Sequence, residues 1–122
     1  MYNKPIVPDT FQIPLMERTS RCLFRPLTVR DVTRDFDAVV SSREYLIDHF
    51  KPETSWPDGL TIEQNLIDLG WHEYEFQSRT SFAYTITDLT DESTLGCCYI
   101  YPSQFDEHEV SISYWVRSSE LN

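Results

Sequence analysis

Three stretches decide the fold: SFAYTITDL (81–89), TLGCCYIYP (94–102) and EVSISYWVR (109–117). In the first and third, large apolar side chains alternate with small or polar ones, which is typical of a strand with one buried face. The middle stretch is apolar on both faces, as expected of an interior strand. Because short connections require antiparallel neighbours, the sequence predicts a meander of three strands that ends at Arg117.

A strand and two helical segments precede the meander. RCLFRPLT predicts a short strand from Arg21 to Leu27, with Pro26 confining it to an edge or a strand end. An amphipathic helix follows Thr28, and the shorter SREYLIDHF (42–50) predicts a continuation as far as Phe50.

The next helix begins with a Thr-x-x-Gln capping box, from Thr61 to Gln64, and we expect it to end near Ser78. Its apolar stripe of Ile62, Leu66, Leu69 and Phe76, widened by Trp71 and Tyr74, predicts a broad buried face. The element order β-α-α-β-β-β predicts an α/β (α+β) domain, with a mostly antiparallel four-stranded sheet and two or three helices.

The N-terminal region differs from the rest of the chain. Prolines at 5, 8 and 14 punctuate residues 1–20, which predicts an extended arm on the domain surface. Residues 21–122 then form one domain, because 122 residues suffice for a single core.

Charge and composition restrict the partners. The formal net charge is −10, which repels phosphate backbones and anionic lipids and attracts cationic amines. We therefore expect no nucleic acid or membrane partner. The same charge favours either a cationic small-molecule amine as partner or a role in solubility alone. The three cysteines lack metal-type spacing, and no run of 18 apolar residues exists, so we expect a cytoplasmic protein.

Motifs for phosphate and metal binding are not found. The three glycines, Gly59, Gly70 and Gly96, are not clustered, which excludes a mononucleotide-binding loop. His108 lies in DEHE (106–109), but four successive residues cannot all face one ion, so we expect no metal site.

Two groups of residues remain as candidates for chemistry. Glu109 opens the last strand, where a carboxylate could accept a proton from an amine or simply be an exposed charge. Seven aromatic residues could line a pocket, although we expect most of them to lie in the core: Trp56, Trp71, Tyr84, Tyr99, Tyr101, Tyr114 and Trp115.

The order of these stretches resembles a known family. LFRPLTVRDV (23–32), TIEQNLIDLGWHEY (61–74), LGCCYIYP (95–102) and SISYWVR (111–117) are similar to the N-terminal half of the GNAT superfamily of acetyl-CoA-dependent N-acetyltransferases. The similarity covers about Arg21 to Arg117.

The resemblance implies roles for the last strand. In the family the pantetheine arm of acetyl-CoA pairs with this strand, which here carries Tyr114, Trp115, Val116 and Arg117. Tyr114 and Glu109 are then the catalytic candidates. Many relatives have a glutamate where this chain has Ser111, so Glu109 would act only through a water.

The resemblance also implies residues for an acceptor site and the lack of the family's CoA-binding loop in these 122 residues. Trp56, His72, Tyr84 and Tyr99 are the candidates for binding the acceptor amine. The family's glycine loop, which holds the CoA diphosphate, has no counterpart before Asn122, so we expect weak or absent CoA binding and an inactive isolated chain.

A non-catalytic reading stays open beside the enzymatic one. The chain would then be a module for self-association or for binding a partner. The strand 109–117 would be an unprotected sheet edge, which predicts a homodimer formed through it.

Overall fold

The computed structural model describes residues 2–103 and 109–121, and in them a single antiparallel sheet has the strand order β1-β2-β3-β4-β5. The strands are Glu17–Arg18 (β1), Leu23–Pro26 (β2), Phe82–Thr87 (β3), Thr94–Pro102 (β4) and Val110–Val116 (β5). The predicted meander is confirmed as β3, β4 and β5.

The prediction of four strands is wrong by one strand. β1 lies inside the predicted arm and pairs Glu17 with Phe24 of β2. A side-chain turn makes this possible, because the Thr19 hydroxyl accepts hydrogen bonds from the amides of Arg21 and Cys22 and reverses the chain.

Three α-helices connect the strands: Val32–Ser41 (α1), Arg43–Phe50 (α2) and Ile62–Gln77 (α3). A 3-10 turn at Val29–Asp31 precedes α1, and Thr28 and Asp31 form a capping box around it. Half of the predicted capping box of α3 is confirmed, since the Thr61 hydroxyl accepts from the Gln64 amide at 3.1 Å. The Gln64 side chain instead donates to Asp68 at 3.5 Å. No helix in the described part of the chain is long and apolar enough to cross a membrane.

The core lies between the helices and one face of the sheet. It contains Leu27, Ala38, Val39, Leu46, Leu69, Ala83, Cys97 and Trp115. Trp115 is only 1% exposed, in line with the expectation that most of the large aromatic residues lie in the core. The side chain points away from solvent because its register partner, Cys97, lies on the inner face of β4.

The broad apolar face predicted for α3 is also wrong. Leu69 is buried, but Ile62, Leu66, Trp71 and Tyr74 are exposed. The inner face of α3 instead buries the polar residues Asn65 and Glu75. Buried polar groups require hydrogen-bond partners, and those partners identify the site described below.

Candidate functional site

A cavity of about 530 Å³ opens between α3, the loop 51–61 and the inner face of the sheet. α3 contributes one wall, and β4 and β5 contribute the floor through Tyr99, Tyr101 and Ser113. The lining residues are Tyr2, Leu27, Asp35, Phe50, Thr54, Trp56, Asn65, Asp68, Leu69, Trp71, His72, Glu75, Tyr99, Tyr101 and Ser113.

Three carboxylates line this cavity: Asp35, Asp68 and Glu75. None of them takes part in the ion pairs found among residues 2–103 and 109–121. The cavity therefore carries acidic groups that no neighbouring arginine or lysine neutralises.

Asp35 is the most deeply placed of the three. Its carboxylate accepts a hydrogen bond from the Asn65 amide at 3.0 Å and contacts the Cys97 thiol at 3.4 Å. Burial raises the pKa of Asp35, although these two hydrogen bonds oppose the shift. The same burial raises the pKa of the Cys97 thiol well above its ordinary value, so the thiol is protonated.

Glu75 is 5% exposed and is held by neutral donors. One oxygen accepts from the Ser81 hydroxyl at 2.8 Å, and the other accepts from the backbone N–H of Tyr2 at 2.9 Å. A buried carboxylate is costly unless it is hydrogen-bonded or paired, and these bonds stabilise it without supplying positive charge.

His72 lies one helical turn before Glu75 and stacks on Tyr99, with ring centroids 5.3 Å apart and an interplanar angle of 28°. Its Nδ1 atom is buried and has no hydrogen-bond partner in the described structure. Burial lowers the pKa of His72 below 6.5, against the opposing effect of Glu75 and Asp68. The imidazole is therefore neutral at pH 7.

Aromatic rings form the floor of the cavity and the wall contributed by the loop 51–61. Trp56 lies 6.0 Å from Trp115 and 5.7 Å from Phe50, measured between ring centroids. Tyr99 and Tyr101 stack in parallel, 5.7 Å apart. The faces of such rings attract cations, so the aromatic wall and the carboxylates favour the same kind of ligand.

Three of the four predicted acceptor-site residues lie together: Trp56, His72 and Tyr99 all line the cavity. Tyr84 does not, because it lies one residue from Ala83, the register partner of Tyr99, and so faces the other side of the sheet. Its hydroxyl donates to the carbonyl of Pro14 at 2.8 Å. Its role in acceptor binding stays a prediction.

The predicted catalytic residues lie outside the described cavity lining. Glu109 is exposed at the start of β5, and Tyr114 points to the face opposite Ser113. The Tyr114 carbonyl lies 3.2 Å from Nε2 of His49. The roles of both residues in catalysis stay predictions.

The predicted cofactor strand is largely engaged within the protein. Trp115 is buried, and Val116 pairs with Gly96. The Arg117 guanidinium donates to the Thr94 carbonyl at 3.0 Å and to Asp37 at 3.2 Å. CoA binding by these residues stays a prediction.

Sequence reasoning missed the acidic lining. The usable signal was on α3, where Asn65, Asp68, His72 and Glu75 follow one another at spacings of 3, 4 and 3 and so share a helix face. Asp35 had no such signal, since it reaches the cavity only through the packing of α1 on α3.

No group of three possible metal ligands is found among the described residues. The predicted loop cluster around His108 lies outside them, apart from Glu109.

Comparison with known proteins shows the fold. No protein-family model matches the sequence, and no curated protein matches it significantly. Among solved structures, a ribosomal-protein-S5-alanine acetyltransferase from Vibrio fischeri matches with a TM-score of 0.72 and 14% identity, over 89% of this chain and 59% of that one.

Two further structures agree. RimL, a ribosomal L7/L12 alpha-N-protein acetyltransferase in complex with coenzyme A, has a TM-score of 0.70 and 16% identity, over 89% of this chain and 57% of that one. The microcin C7 self-immunity acetyltransferase MccE, in complex with acetyl-CoA and AMP, has a TM-score of 0.69 and 10% identity, over 84% and 54%. The chain thus spans less than two thirds of the length of these proteins.

Proposed function

We propose that this chain, which has the fold of the GNAT acetyltransferases, forms the acceptor side of an N-acetyltransferase and binds a cationic amine in the cavity. One observation carries the proposal: Asp35, Asp68 and Glu75 line a single cavity, without basic partners among the described residues, together with aromatic rings.

The electrostatics of the cavity favour a cation over a neutral ligand. Asp68 and Glu75 lie on one face of α3, three and ten residues after Asn65, which also lines the cavity. An ammonium group placed between them and the Trp56 ring would gain both ion pairing and cation–π attraction. The net charge of −10 adds long-range attraction for the same ligand.

The proposed reaction needs a proton acceptor. The bound ammonium first loses one proton to water, and the resulting neutral nitrogen attacks the thioester carbonyl carbon of acetyl-CoA; a C–N bond forms, the C–S bond breaks, and the CoA thiolate leaves. The nitrogen must also lose a proton, and a neutral imidazole accepts one readily near pH 7. His72, which lines the cavity as a neutral imidazole, is the proposed acceptor in place of Glu109, which lies outside the described cavity lining.

Acetyl-CoA is the proposed donor, and its binding requires more than the residues present. With three unclustered glycines, these 122 residues offer no loop of the type that cradles a diphosphate. We therefore expect a thiol-release assay with acetyl-CoA and a polyamine to show only the uncatalysed rate for this chain alone. Turnover that is lost on His72→Gln would contradict that expectation.

The amine-binding proposal is tested by a matched pair of ligands. Trp56 and Trp71 line the cavity, so their fluorescence reports its occupation. We expect 1,4-diaminobutane to change the fluorescence in a saturable way, and 1,4-butanediol, which has the same carbon chain without the charges, to have no effect. Equal responses to the two ligands, or none to the diamine at millimolar concentration, would contradict the proposal.

Self-association is a second candidate, favoured by the position of β5 at the end of the strand order. Ile112 and Tyr114 are 63% and 60% exposed on its outer face. An exposed apolar edge strand favours pairing with a second copy. The homodimer through residues 109–117 is therefore kept as a proposal.

A further inference from the structure

The N-terminal segment reaches into the cavity described above. Tyr2 lines the cavity, although 73 residues separate it from Glu75 in the sequence. From there the chain continues past the C-terminal end of α3, where the Ile6 amide donates to the Arg79 carbonyl at 2.9 Å.

Tyr2 contacts two cavity residues, Glu75 and Tyr101. Its backbone N–H donates to Glu75 at 2.9 Å, and its ring lies against that of Tyr101, with centroids 5.2 Å apart. Burial raises the pKa of the Tyr2 hydroxyl, and the charge of Glu75 adds to this shift. Tyr2 thus supplies a donor and an aromatic ring, which are what an external ligand of this subsite would supply.

Arg79 fastens the segment. Its guanidinium donates to the carbonyls of Pro8 and Phe11 at 2.9 and 2.8 Å. Arg79 has φ 62° at the end of α3, in the left-handed region where glycine is the usual residue. The backbone conformation at this position favours glycine. The arginine side chain therefore contributes through its two hydrogen bonds to the segment.

Few other bonds hold residues 2–11 to the domain. Pro5 and Pro8 have no amide hydrogen, so the segment cannot extend the sheet with a regular ladder. Loss of the Arg79 side chain would remove two of its attachments in the described structure at once. Residues 2–11 are not part of the core cluster of the described structure, so we expect their displacement to leave the core intact.

We infer that Tyr2, held by the segment 2–11, is an internal occupant of the acceptor cavity, and that the subsite formed by Glu75 and Tyr101 takes a ligand with an N–H donor close to an aromatic ring. The external ligand class is thus an arylalkylamine, in which a short carbon chain joins the amine to the ring. The segment competes with such ligands. Their apparent affinity is therefore reduced in proportion to the fraction of molecules in which the subsite is free. This inference rests on the proposed function, because it specifies the ligand of the same cavity.

The test titrates tyramine, which joins an ammonium group to a phenol ring, into the full chain and follows tryptophan fluorescence. We expect Tyr2→Ala, which removes the ring from Tyr101, and Arg79→Gly, which removes the two side-chain bonds to the segment, each to bind tyramine at least about tenfold more tightly than the unchanged protein. The matched control is Leu15→Ala, because that side chain is 65% exposed and lies outside the segment 2–11. It should leave the affinity unchanged.

Two results separate this inference from the proposed function. Equal tyramine affinity in the unchanged protein and in Tyr2→Ala, together with saturable binding of 1,4-diaminobutane, would overturn the internal occupant alone. Absence of binding by both amines in every variant would overturn both proposals. A thermal melt of each variant confirms that the fold is retained, and Arg79→Gly should not lower the midpoint, since glycine suits a positive φ.

Discussion

Trp115 donates its indole N–H to the hydroxyl of Tyr99 at 2.8 Å, which joins the buried side of β5 to the cavity wall on β4. Tyr99 in turn stacks on His72 of α3. The strand predicted to pair with a cofactor or a partner thus contributes its largest side chain to the core. Ile112 and Tyr114 form the exposed outer face of this strand, so a substitution there tests self-association.

Self-association through β5 is tested at Ile112, which is exposed on the outer face of the strand. If the homodimer forms there, Ile112→Lys should convert it to a monomer at micromolar concentration, because charge on an edge strand opposes pairing. Light scattering measures this. The matched control is Ile67→Lys, at a similarly exposed position on α3. A monomeric unchanged chain, or a dimer that persists in Ile112→Lys, would contradict the prediction.

Gly96 is required where β4 and β5 approach most closely. A Cβ atom built there lies 2.1 Å from the carbonyl oxygen of Trp115 and 2.9 Å from Cα of Val116. Gly96→Ala must therefore force the two strands apart, and we expect it to lower the free energy of unfolding by about 1–3 kcal/mol or more. Urea denaturation measures this.

Gly70 provides the control for that substitution. A Cβ atom at Gly70 meets only Val29 Cγ1, at an ordinary contact distance of 3.9 Å, and the position lies inside α3. Gly70→Ala should raise the free energy of unfolding by about 0.5–1 kcal/mol, because alanine favours the helix. If Gly96→Ala and Gly70→Ala change the free energy of unfolding equally, the close approach of β4 and β5 at Gly96 does not determine stability.

The pH dependence of stability tests the burial of Asp35. Its pKa in the folded state is raised above the ordinary value of 3.8, mainly by burial, with Asp31 and Asp68 adding to the shift. Its contribution to stability is therefore fully present below pH 3.8 and is lost as the pH rises through the raised pKa. Asp35→Asn should remove that loss and still accept the hydrogen bond from Asn65.

We therefore expect Asp35→Asn to melt at a higher temperature than the unchanged chain at pH 7, and the difference to shrink towards pH 4. Thermal unfolding across this range measures it. The reverse trend, with the largest difference in acid, would mean that the carboxylate is stabilised in its ionised form.

The sequence predicts where the helices and strands lie better than it predicts which face of each one is buried. Alternation located β3 and β5, and a threonine cap located the start of α3. Period-2 alternation does not say which face is inward, however. In β5 the apolar set containing Ile112 and Tyr114 faces outward, and the set containing Ser113 and Trp115 faces the cavity and the core.

The candidate site was predicted in part for a similar reason. Trp56, His72 and Tyr99 were identified, but the acidic lining was not, because a carboxylate on a helix is ordinarily solvated. Asp35 and Glu75 become cavity residues only when α1 and α3 pack together over the sheet. Contacts between residues so far apart in the sequence are set by tertiary packing, which local patterns do not encode.

We propose that carboxylates in the cavity bind a cationic amine. A comparison of two charge-neutralising substitutions on α3 tests this most directly. Asp68 lines the cavity, whereas Glu63 is exposed on the same helix outside the described lining. Calorimetric titration with 1,4-diaminobutane should show Asp68→Asn weakening binding about tenfold, equivalent to about 1.4 kcal/mol, and Glu63→Gln leaving it within about twofold. Equal effects of the two substitutions, or binding indifferent to both, would contradict the account.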